Sequence, residues 1–165
     1  MSANRPDAAA NPDADSAAPS EQISADICII GAGSGGLSVA AAAAAFGQSV
    51  VLIEKHKMGG DCLNYGCVPS KALIAAGKRA HAMRTASGFG IADVDPEIDP
   101  AAVNDHVKSV IAAIEPNDSV ERFTGLGVRV ILAAGRFIDK STVAAGEFRI
   151  KARRFVVATG SSPFV

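Results

Sequence analysis

GAGSGG, at residues 31–36, is the stretch that decides the fold. It follows the apolar run at residues 23–30, which is typical of a buried parallel strand, and it has the spacing G-x-G-x-x-G. The alanine-rich segment behind it predicts a helix from about residue 36 to residue 46, because alanine has the highest helix propensity. A second strand is predicted at residues 49–53. Together these segments form the first β-α-β unit of a parallel α/β sheet.

The three spaced glycines each have a separate use in dinucleotide binding. Gly31 allows a tight turn, Gly33 lets the backbone approach a pyrophosphate, and Gly36 lets the helix pack closely on the strand. Glu54 stands about twenty residues further on, where a carboxylate accepts hydrogen bonds from an adenosine ribose. This order of strand, glycines, helix, strand and acid predicts a dinucleotide site. The alternative is a glycine-rich turn in some other α/β unit.

Two cysteines follow in the run GGDCLNYGCVPSK at residues 59–71. On a regular helix the α-carbons of Cys62 and Cys67 would lie roughly 8 Å apart, beyond the ~7 Å limit for a disulfide, so the backbone between them has to bend. Gly66 permits the bend, and the Val-Pro pair at residues 68–69 suits a helix that opens after it. Cys67 then lies near a helix N-terminus, which favours a thiolate. The pair is predicted to exchange electrons with a bound dinucleotide.

With both elements present, the chain resembles the N-terminal part of the FAD domain of the class I pyridine nucleotide-disulfide oxidoreductases. This family includes dihydrolipoamide dehydrogenase, mercuric reductase and glutathione reductase. Ser70 brings the chain nearer to the first two, because lysine is frequent at that position in glutathione reductases. The resemblance covers residues 23–165, and the cysteine run is its most specific part. A third match is RFVVATGSSP at residues 154–163, which is similar to the family's second flavin motif. The fold implied is a Rossmann-like α/β FAD-binding domain with a parallel sheet, here incomplete.

The resemblance implies an FAD-dependent NAD(P)-disulfide oxidoreductase. Cys62 would be the interchange thiol that meets the substrate, Cys67 would face the flavin, and Lys71 would place a positive charge near the flavin's reactive nitrogen. Motif by motif, the residues expected to contact FAD, besides Lys71, are Gly31, Gly33, Ser34, Gly35, Gly36, Glu54, Lys55, Gly60, Asp61, Gly135, Ala158, Thr159 and Gly160. No metal ligand is expected.

Some of these matches carry specific expectations. Ser34 and Gly35 would offer backbone donors to the pyrophosphate, and Gly135 would let the backbone approach the adenine. Asp61 stands where many relatives carry threonine, so its carboxylate, which phosphate repels, is expected to turn away or to bind through water or a hydroxyl. Lys55 either belongs to a solvated loop or contacts the adenosine end.

Tyr65 replaces a β-branched aliphatic residue between the cysteines. It either shapes access to the disulfide or fills a gap by packing. Cys28 lies inside the first predicted strand and is expected to be a buried packing thiol.

Members of the family are much longer than these 165 residues and carry an NAD(P) domain and a dimerisation domain. The resemblance therefore implies a fragment, with NAD(P)H bound through a domain absent from this chain and a homodimer expected for the full-length protein. The family's acid-base His-Glu pair lies in the dimerisation domain, and His56, His81 and His106 match nothing of that kind. The fragment alone is expected to bind FAD weakly and to be inactive. The substrate expected for the full-length protein is a lipoyl group, a mercuric ion, another small disulfide or dithiol, or a quinone.

The composition fits a globular α/β domain: 48% of residues are hydrophobic, 20% are charged, and the formal net charge is −1. The near-neutral charge argues against nucleic acid or an anionic membrane as partner, and no apolar run is long enough to span a bilayer. Residues 1–22 predict a disordered tail without the apolar core of a secretory signal. A cytoplasmic location is expected, and a reducing compartment suits a catalytic disulfide.

The rest of the chain is predicted to be scaffold. A helix over residues 68–84 carries the thiol pair, and a second helix begins at Asp99 and Pro100 as cap and first helical residue. Pro116 should interrupt this second helix before a short continuation. Strands are predicted at residues 128–134 and 154–159, with a small antiparallel excursion over residues 137–150. The predicted buried stripe of the second helix is Val103, Val107, Val110, Ile111 and Ile114.

Two other functions remain open for the cysteine run. Cys62 and Cys67 together with a histidine could bind zinc, although a four-residue gap without a second ligand pair is poor metal spacing. Alternatively, the chain is a nucleotide-binding module with no redox role.

Overall fold

The computed structural model describes residues 21–161. Residues 1–20, which make up most of the predicted tail, and residues 162–165, which include the end of the second flavin motif, lie outside the described residues. The first strand, β1 (Glu21–Ile30), begins two residues before its predicted start. Glu21 and Gln22 belong to the sheet rather than to the tail because they are in register with Phe148 and Arg149 of the last strand.

The centre of the fold is a six-stranded sheet in the order β3-β2-β1-β6-β5-β4. The strands after β1 are β2 (Val50–Glu54), β3 (Arg129–Leu132), β4 (Gly135–Asp139), β5 (Thr142–Ala145) and β6 (Phe148–Val157). Strands β3, β2, β1 and β6 pair in parallel, and β4 and β5 add the antiparallel part. The predicted fold class, a mostly parallel α/β sheet with a small antiparallel excursion, is confirmed.

Strand β6 differs from its prediction. The end of the antiparallel excursion and the last parallel strand were expected as separate segments, but β6 is one strand of 10 residues. It can be continuous because its two edges have different partners: its first residues pair antiparallel with β5, while its whole length pairs in parallel with β1. Ile150, fully buried, lies where the two pairings overlap.

Within residues 21–161, five α-helices accompany the sheet: α1 (Ser34–Ala45), α2 (Gly60–Asn64), α3 (Cys67–Arg84), α4 (Pro100–Ile114) and α5 (Val120–Gly125). On one face of the sheet, Leu37 and Ala40 of α1 and Phe123 of α5 pack with Ile29 and Leu52. A second buried cluster consists of side chains from β1, β2, β3, β5 and β6. No helix within residues 21–161 is long and apolar enough to cross a membrane.

Cys28 lies at the centre of this sheet and is fully buried, as predicted for a packing thiol. Burial raises the pKa of Cys28 to about 11, because the thiolate would lose its hydration there. The thiol is therefore protonated and shielded at neutral pH.

The predicted start of α4 is confirmed. Asp99 Oδ1 accepts hydrogen bonds from the backbone N–H groups of Ala101 and Ala102, at 2.8 and 3.2 Å, and Pro100 is the first helical residue. The predicted apolar stripe is only half-buried, and no residue of α4 is fully buried. The predicted interruption at Pro116 is present as a 3₁₀ turn over Glu115–Asp118, after which α5 begins.

Candidate functional site

The fingerprint turn between β1 and α1 requires glycine for steric reasons. Gly31 has φ = 107°, and a side chain there would overlap the backbone carbonyl of Ala158. A side chain at Gly36 would overlap the carbonyl oxygen of Gly31. The two glycines therefore have the packing roles predicted for them, a tight turn and a close approach of helix to strand.

The first turn of α1 is open to a ligand. A Cβ atom at Gly35 would have no atom within 4 Å, and one at Gly33 would have only the α-carbon of Gly60, at 3.9 Å. No side chain caps this 12-residue helix, whose N-cap residue is Gly33. Free N–H groups at a helix N-terminus bind anions such as a pyrophosphate. Ser34 and Gly35, the expected donors, are both exposed here.

Glu54 lies beside the same turn, at the end of β2. It is 8% exposed, and its two carboxylate oxygens accept hydrogen bonds from the backbone N–H groups of Ala32, at 2.6 Å, and of His56, at 2.8 Å. Each oxygen retains a lone pair that can accept a further hydrogen bond, such as one from a ribose hydroxyl. Glu54 thus fixes the position of the turn and keeps acceptor capacity beside it.

The second flavin motif meets the turn from the other side. The N–H group of Ala158 donates to the carbonyl of Ile30 at 2.8 Å, next to Gly31. Thr159 follows beside Gly31, and Gly160 adopts φ = 70°. Gly135 packs at the same end of the sheet, where a Cβ atom would lie 3.3 Å from the side chain of Ile30.

The cysteine segment is docked directly onto the fingerprint turn. The N–H group of Gly59 donates to the carbonyl of Ala32 at 2.9 Å, and Gly59 pairs with Gly33 in an isolated parallel bridge. A Cβ atom at Gly60 would lie 2.6 Å from the α-carbon of Gly33, so the two backbones touch. Because successive α-carbons are 3.8 Å apart, Cys62 lies within about 8 Å of this contact.

The backbone bends between the two cysteines, as predicted. Helix α2 ends at Asn64, Gly66 has φ = −113° and ψ = −105°, and α3 begins at Cys67. The side-chain amide of Asn64 donates to the carbonyls of Met58 and Gly60, at 3.0 and 2.8 Å. This amide ties the last residue of α2 to the segment that precedes Cys62, a role that the sequence alone did not assign to it.

The two thiols are free and adjacent. Cys62 is half-buried and Cys67 is exposed. The pKa of the Cys62 thiol is raised, chiefly because it hydrogen bonds with Cys67, and burial and the charge of a Cys67 thiolate act in the same direction. Lys71 opposes this shift through its positive charge. Lys71 therefore lies close enough to act on the thiol pair electrostatically.

Three side chains near the thiols have distinct surroundings. The carboxylate of Asp61 lies against Gly66, where a Cβ atom would be 2.7 Å from Oδ2. Tyr65 is 71% exposed, with Lys57 Nζ 5.9 Å from its ring centre, so the expectation that it fills a gap is wrong. Lys55 is exposed.

A cleft of about 390 Å³ lies between the helices, and Cys62 is part of its wall. Sequence reasoning did not find this cleft, because its walls come from segments far apart in the chain. Its lining residues are Ser34, Leu37, Ser38, Ala41, Gly59, Cys62, Leu63, Val68, Ile114, Asp118, Arg122 and Phe123. Among residues 21–161, no group of three or more His, Cys, Asp or Glu side chains is arranged to hold a metal ion.

Comparison with known proteins gives one family. Residues 25–165 match the family model described as pyridine nucleotide-disulphide oxidoreductase. The chain is 32% identical to a mercuric reductase of Lysinibacillus sphaericus over 138 residues, which cover 84% of this chain and 25% of that protein. It is 35% identical to the chloroplastic dihydrolipoyl dehydrogenase 2 of Arabidopsis thaliana over 161 residues, which cover 96% of this chain and 28% of that protein.

A solved structure shares the fold. It is the Cu(II) complex of the HOCl-induced flavoprotein disulfide reductase RclA from Escherichia coli, with a TM-score of 0.69 and 22% sequence identity. The match covers 85% of this chain and 29% of that one. The chain thus spans between a quarter and a third of the length of the proteins it resembles.

Proposed function

Because this chain belongs to the class I pyridine nucleotide-disulfide oxidoreductase family, we propose that it binds FAD and carries the redox thiols of an FAD-dependent, NAD(P)-linked disulfide oxidoreductase. The observation that carries the proposal is the docking of the cysteine segment on the fingerprint turn, where Gly59 and Gly60 touch Gly33. This contact supports a thiol pair that lies next to a nucleotide site.

The proposal also covers the whole protein. Residues 23–165 form the N-terminal part of the FAD domain. NAD(P)H binds to another domain, and the full-length protein is a homodimer in the cytoplasm. These assignments rest on the family.

The residues present fit FAD at its adenosine and pyrophosphate end. Gly33 and Gly35 leave open space at the N-terminus of α1, and Glu54 retains acceptor capacity for the ribose. Ala158 and Thr159 adjoin the same turn, and Lys71 supplies a positive charge near the thiols. When bound, FAD would supply a two-electron carrier beside the thiol pair.

The thiols then perform disulfide exchange in two steps. The Cys62 thiolate attacks one sulfur of a substrate disulfide, forms a mixed disulfide and releases one substrate thiolate. The Cys67 thiolate next attacks Sγ of Cys62, forms the Cys62–Cys67 disulfide and releases the second substrate thiolate. Two electrons pass from the protein dithiol to the substrate, and both released thiolates take protons from water.

Because the pKa of Cys62 is raised, this exchange needs a base. Below that pKa the thiol is protonated, and the thiolate is the reactive form, so a base has to remove its proton. None of the three histidines, His56, His81 and His106, lines the cleft of Cys62. This supports a base supplied from outside the described cleft, as the family's His-Glu pair would supply it.

The first test of the proposal concerns the thiols. Oxidised chain should carry one reducible disulfide between Cys62 and Cys67, while Cys28 stays unmodified because it is buried and its pKa is about 11. Alkylation in the folded state before and after mild reduction, followed by peptide mass spectrometry, measures this. Early labelling of Cys28, or oxidation of Cys62 and Cys67 to separate products, would contradict the proposal.

The second test separates the redox proposal from a nucleotide module and addresses Glu54. ADP and FAD should shift the backbone amide signals of Gly33 to Gly36 in an NMR titration, and riboflavin, which lacks the pyrophosphate and adenosine, should not. Glu54→Gln should weaken ADP binding several-fold, because an amide can accept from only one of the two N–H groups that the carboxylate holds. Equal shifts with riboflavin would refute the predicted site. ADP binding without a Cys62–Cys67 disulfide would favour the nucleotide module.

A further inference from the structure

At the start of β1 and β6, one face of the sheet is left uncovered. Ile23 of β1, and Ile150 and Ala152 of β6, belong to the second buried cluster. Because side chains alternate along a strand, the residues between and beside them point to the opposite face. That face borders a groove of about 380 Å³. Its exposed residues are Gln22, Ser24, Arg149, Lys151 and Arg153.

Arg149, Lys151 and Arg153, at every second position of β6, form what we call the basic stripe. Neighbouring members are roughly 7 Å apart, because a strand rises about 3.3 Å per residue. Within the part of the chain that the structure describes, no ion pair joins Arg149 or Lys151 to a carboxylate. Arg153 pairs with Asp26 at 3.2 Å, but Asp26 also accepts from the N–H and hydroxyl groups of Ser49, at 3.0 and 2.7 Å. The stripe therefore keeps most of its positive charge for another partner.

An acidic part of the sequence is attached directly beside this stripe. Residues 1–20, which lie outside the described residues, are followed by Glu21, the first residue of β1. The next residue, Gln22, is in register with Arg149. From position 6 to position 20 the sequence holds three aspartates and no basic residue. These are Asp7, Asp13 and Asp15, and the last two have the same i, i+2 spacing as the cations of the stripe.

Asp15 can reach the basic stripe if the chain reverses its direction before β1. It precedes Glu21 by six residues, which span at most about 20 Å. Lys151 is in register with Ser24, three residues into β1 and so only roughly 10 Å from Glu21. Pro19 is a residue typical of turns. The covalent link keeps the aspartates at an effective concentration on the order of millimolar, which offsets the weakness of single exposed ion pairs.

From the uncovered face, its basic stripe and the acidic sequence attached beside it, we infer that residues 7–15 of this chain, the acidic segment, dock on the basic stripe. The carboxylates of Asp13 and Asp15 lie against Lys151 and its two neighbours. This docking surface is separate from the thiols and from the fingerprint turn, and it does not depend on the proposed redox function. When the segment is docked it neutralises the stripe, which would otherwise attract anionic macromolecules.

Zero-length crosslinking with a carbodiimide tests this contact on the whole chain. The reagent joins a carboxylate to an amine only where the two are in contact, and peptide mass spectrometry identifies the pair. Lys151 should be joined to an aspartate of residues 7–15. The exposed pair of Lys108 and Asp105, 3.0 Å apart, is the reference crosslink. Lys78, exposed on α3, should not be joined to the acidic segment.

The charge of the stripe is tested with a double variant. Arg149→Gln with Arg153→Gln should lower the yield of the Lys151 crosslink, relative to the reference crosslink, about three- to tenfold, because the segment loses two exposed partners. Salt at about 1 M should lower the yield in wild type, because it screens exposed charges. Lys78→Gln with Arg79→Gln is the matched control. It changes the net charge by the same amount on α3 and should leave the yield unchanged.

A second measurement does not depend on crosslinking. Asp7→Asn, Asp13→Asn and Asp15→Asn are combined in one chain, and all three positions precede β1. The triple variant should shift the backbone amide NMR signals of Ser24 and Lys151, because their charged neighbours are lost. The signals of the fingerprint turn should stay where they are in wild type.

The other outcomes each overturn the inference. These are absence of the Lys151 crosslink where the reference crosslink forms, equal yields in the stripe variant and wild type, and unchanged amide signals in the triple variant. Crosslinking of the acidic segment to Lys78 as strongly as to Lys151 would show unspecific contact. In a mixture of isotope-labelled and unlabelled chains, crosslinks that join one chain of each kind would assign the segment to a second copy and overturn docking within one chain.

Discussion

Gly36→Ala should destabilise the chain by about 3 kcal/mol or more, because the added methyl group would overlap the carbonyl oxygen of Gly31. This oxygen belongs to the backbone of the fingerprint turn, so no flexible side chain can move aside. The fingerprint turn also contacts Ala158 through Gly31 and Gly60 through Gly33, so a shift of the turn would disturb both contacts. Urea denaturation followed by far-UV circular dichroism measures the loss in the free energy of unfolding.

Gly35→Ala is the matched control, one residue earlier in the same helix. A Cβ atom at Gly35 has no atom within 4 Å, and alanine is favoured over glycine in a helix by up to about 1 kcal/mol. We therefore expect Gly35→Ala to be as stable as wild type or slightly more stable. Similar losses in both variants would show that the overlap at Gly36 is not the cause.

Cys67→Ser should stop thiol-disulfide exchange at its midpoint and accumulate a mixed disulfide between Cys62 and the substrate. The serine hydroxyl cannot attack the sulfur of Cys62, so the second substrate thiol stays bound. In Cys62→Ser of the full-length, FAD-bound protein we expect mixed-disulfide formation to be at least tenfold slower, because the interchange thiol is gone and bound flavin would cover Cys67, which is exposed without it. Intact-protein mass spectrometry after reaction with a small disulfide distinguishes the two products.

Cys67→Ser, Cys62→Ser and the protein that keeps both cysteines should all carry Cys28→Ala, so that only the thiols at positions 62 and 67 are counted. The protein that keeps both Cys62 and Cys67 should have gained no mass from the substrate when the exchange is complete, since both substrate thiols leave. Rapid formation of a stable mixed disulfide at Cys67 in Cys62→Ser would reverse the assigned roles of the two thiols.

The glycine run and the cysteine bend could be predicted because each depends on local stereochemistry. Gly31 has to adopt φ = 107°, and two thiols five residues apart cannot meet on one regular helix. The start of α4 was predictable for the same reason, since Asp99 and Pro100 act within one turn.

The cleft and the contacts of Gly60 could not be predicted, because they depend on tertiary packing. Arg122 follows Cys62 by sixty positions, and only the folded chain brings α5 and α2 to the same cleft. For Tyr65 the sequence left access to the disulfide and packing both open, and only the folded chain excludes packing, because none of the described elements covers this side chain and it stays 71% exposed.

The pairing of β1 with β6 has a consequence for the order in which the protein can fold during synthesis. Ile30 is in register with Val157, and the carbonyl of Ala158 lies against Gly31, so the fingerprint turn is completed by residues made more than 120 positions later. Such long-range strand pairing is slow and exposes apolar edges until it forms. A nascent chain that has left the ribosome only as far as β3 holds the glycines, Glu54 and both cysteines, yet the strand that fixes their arrangement has not been made.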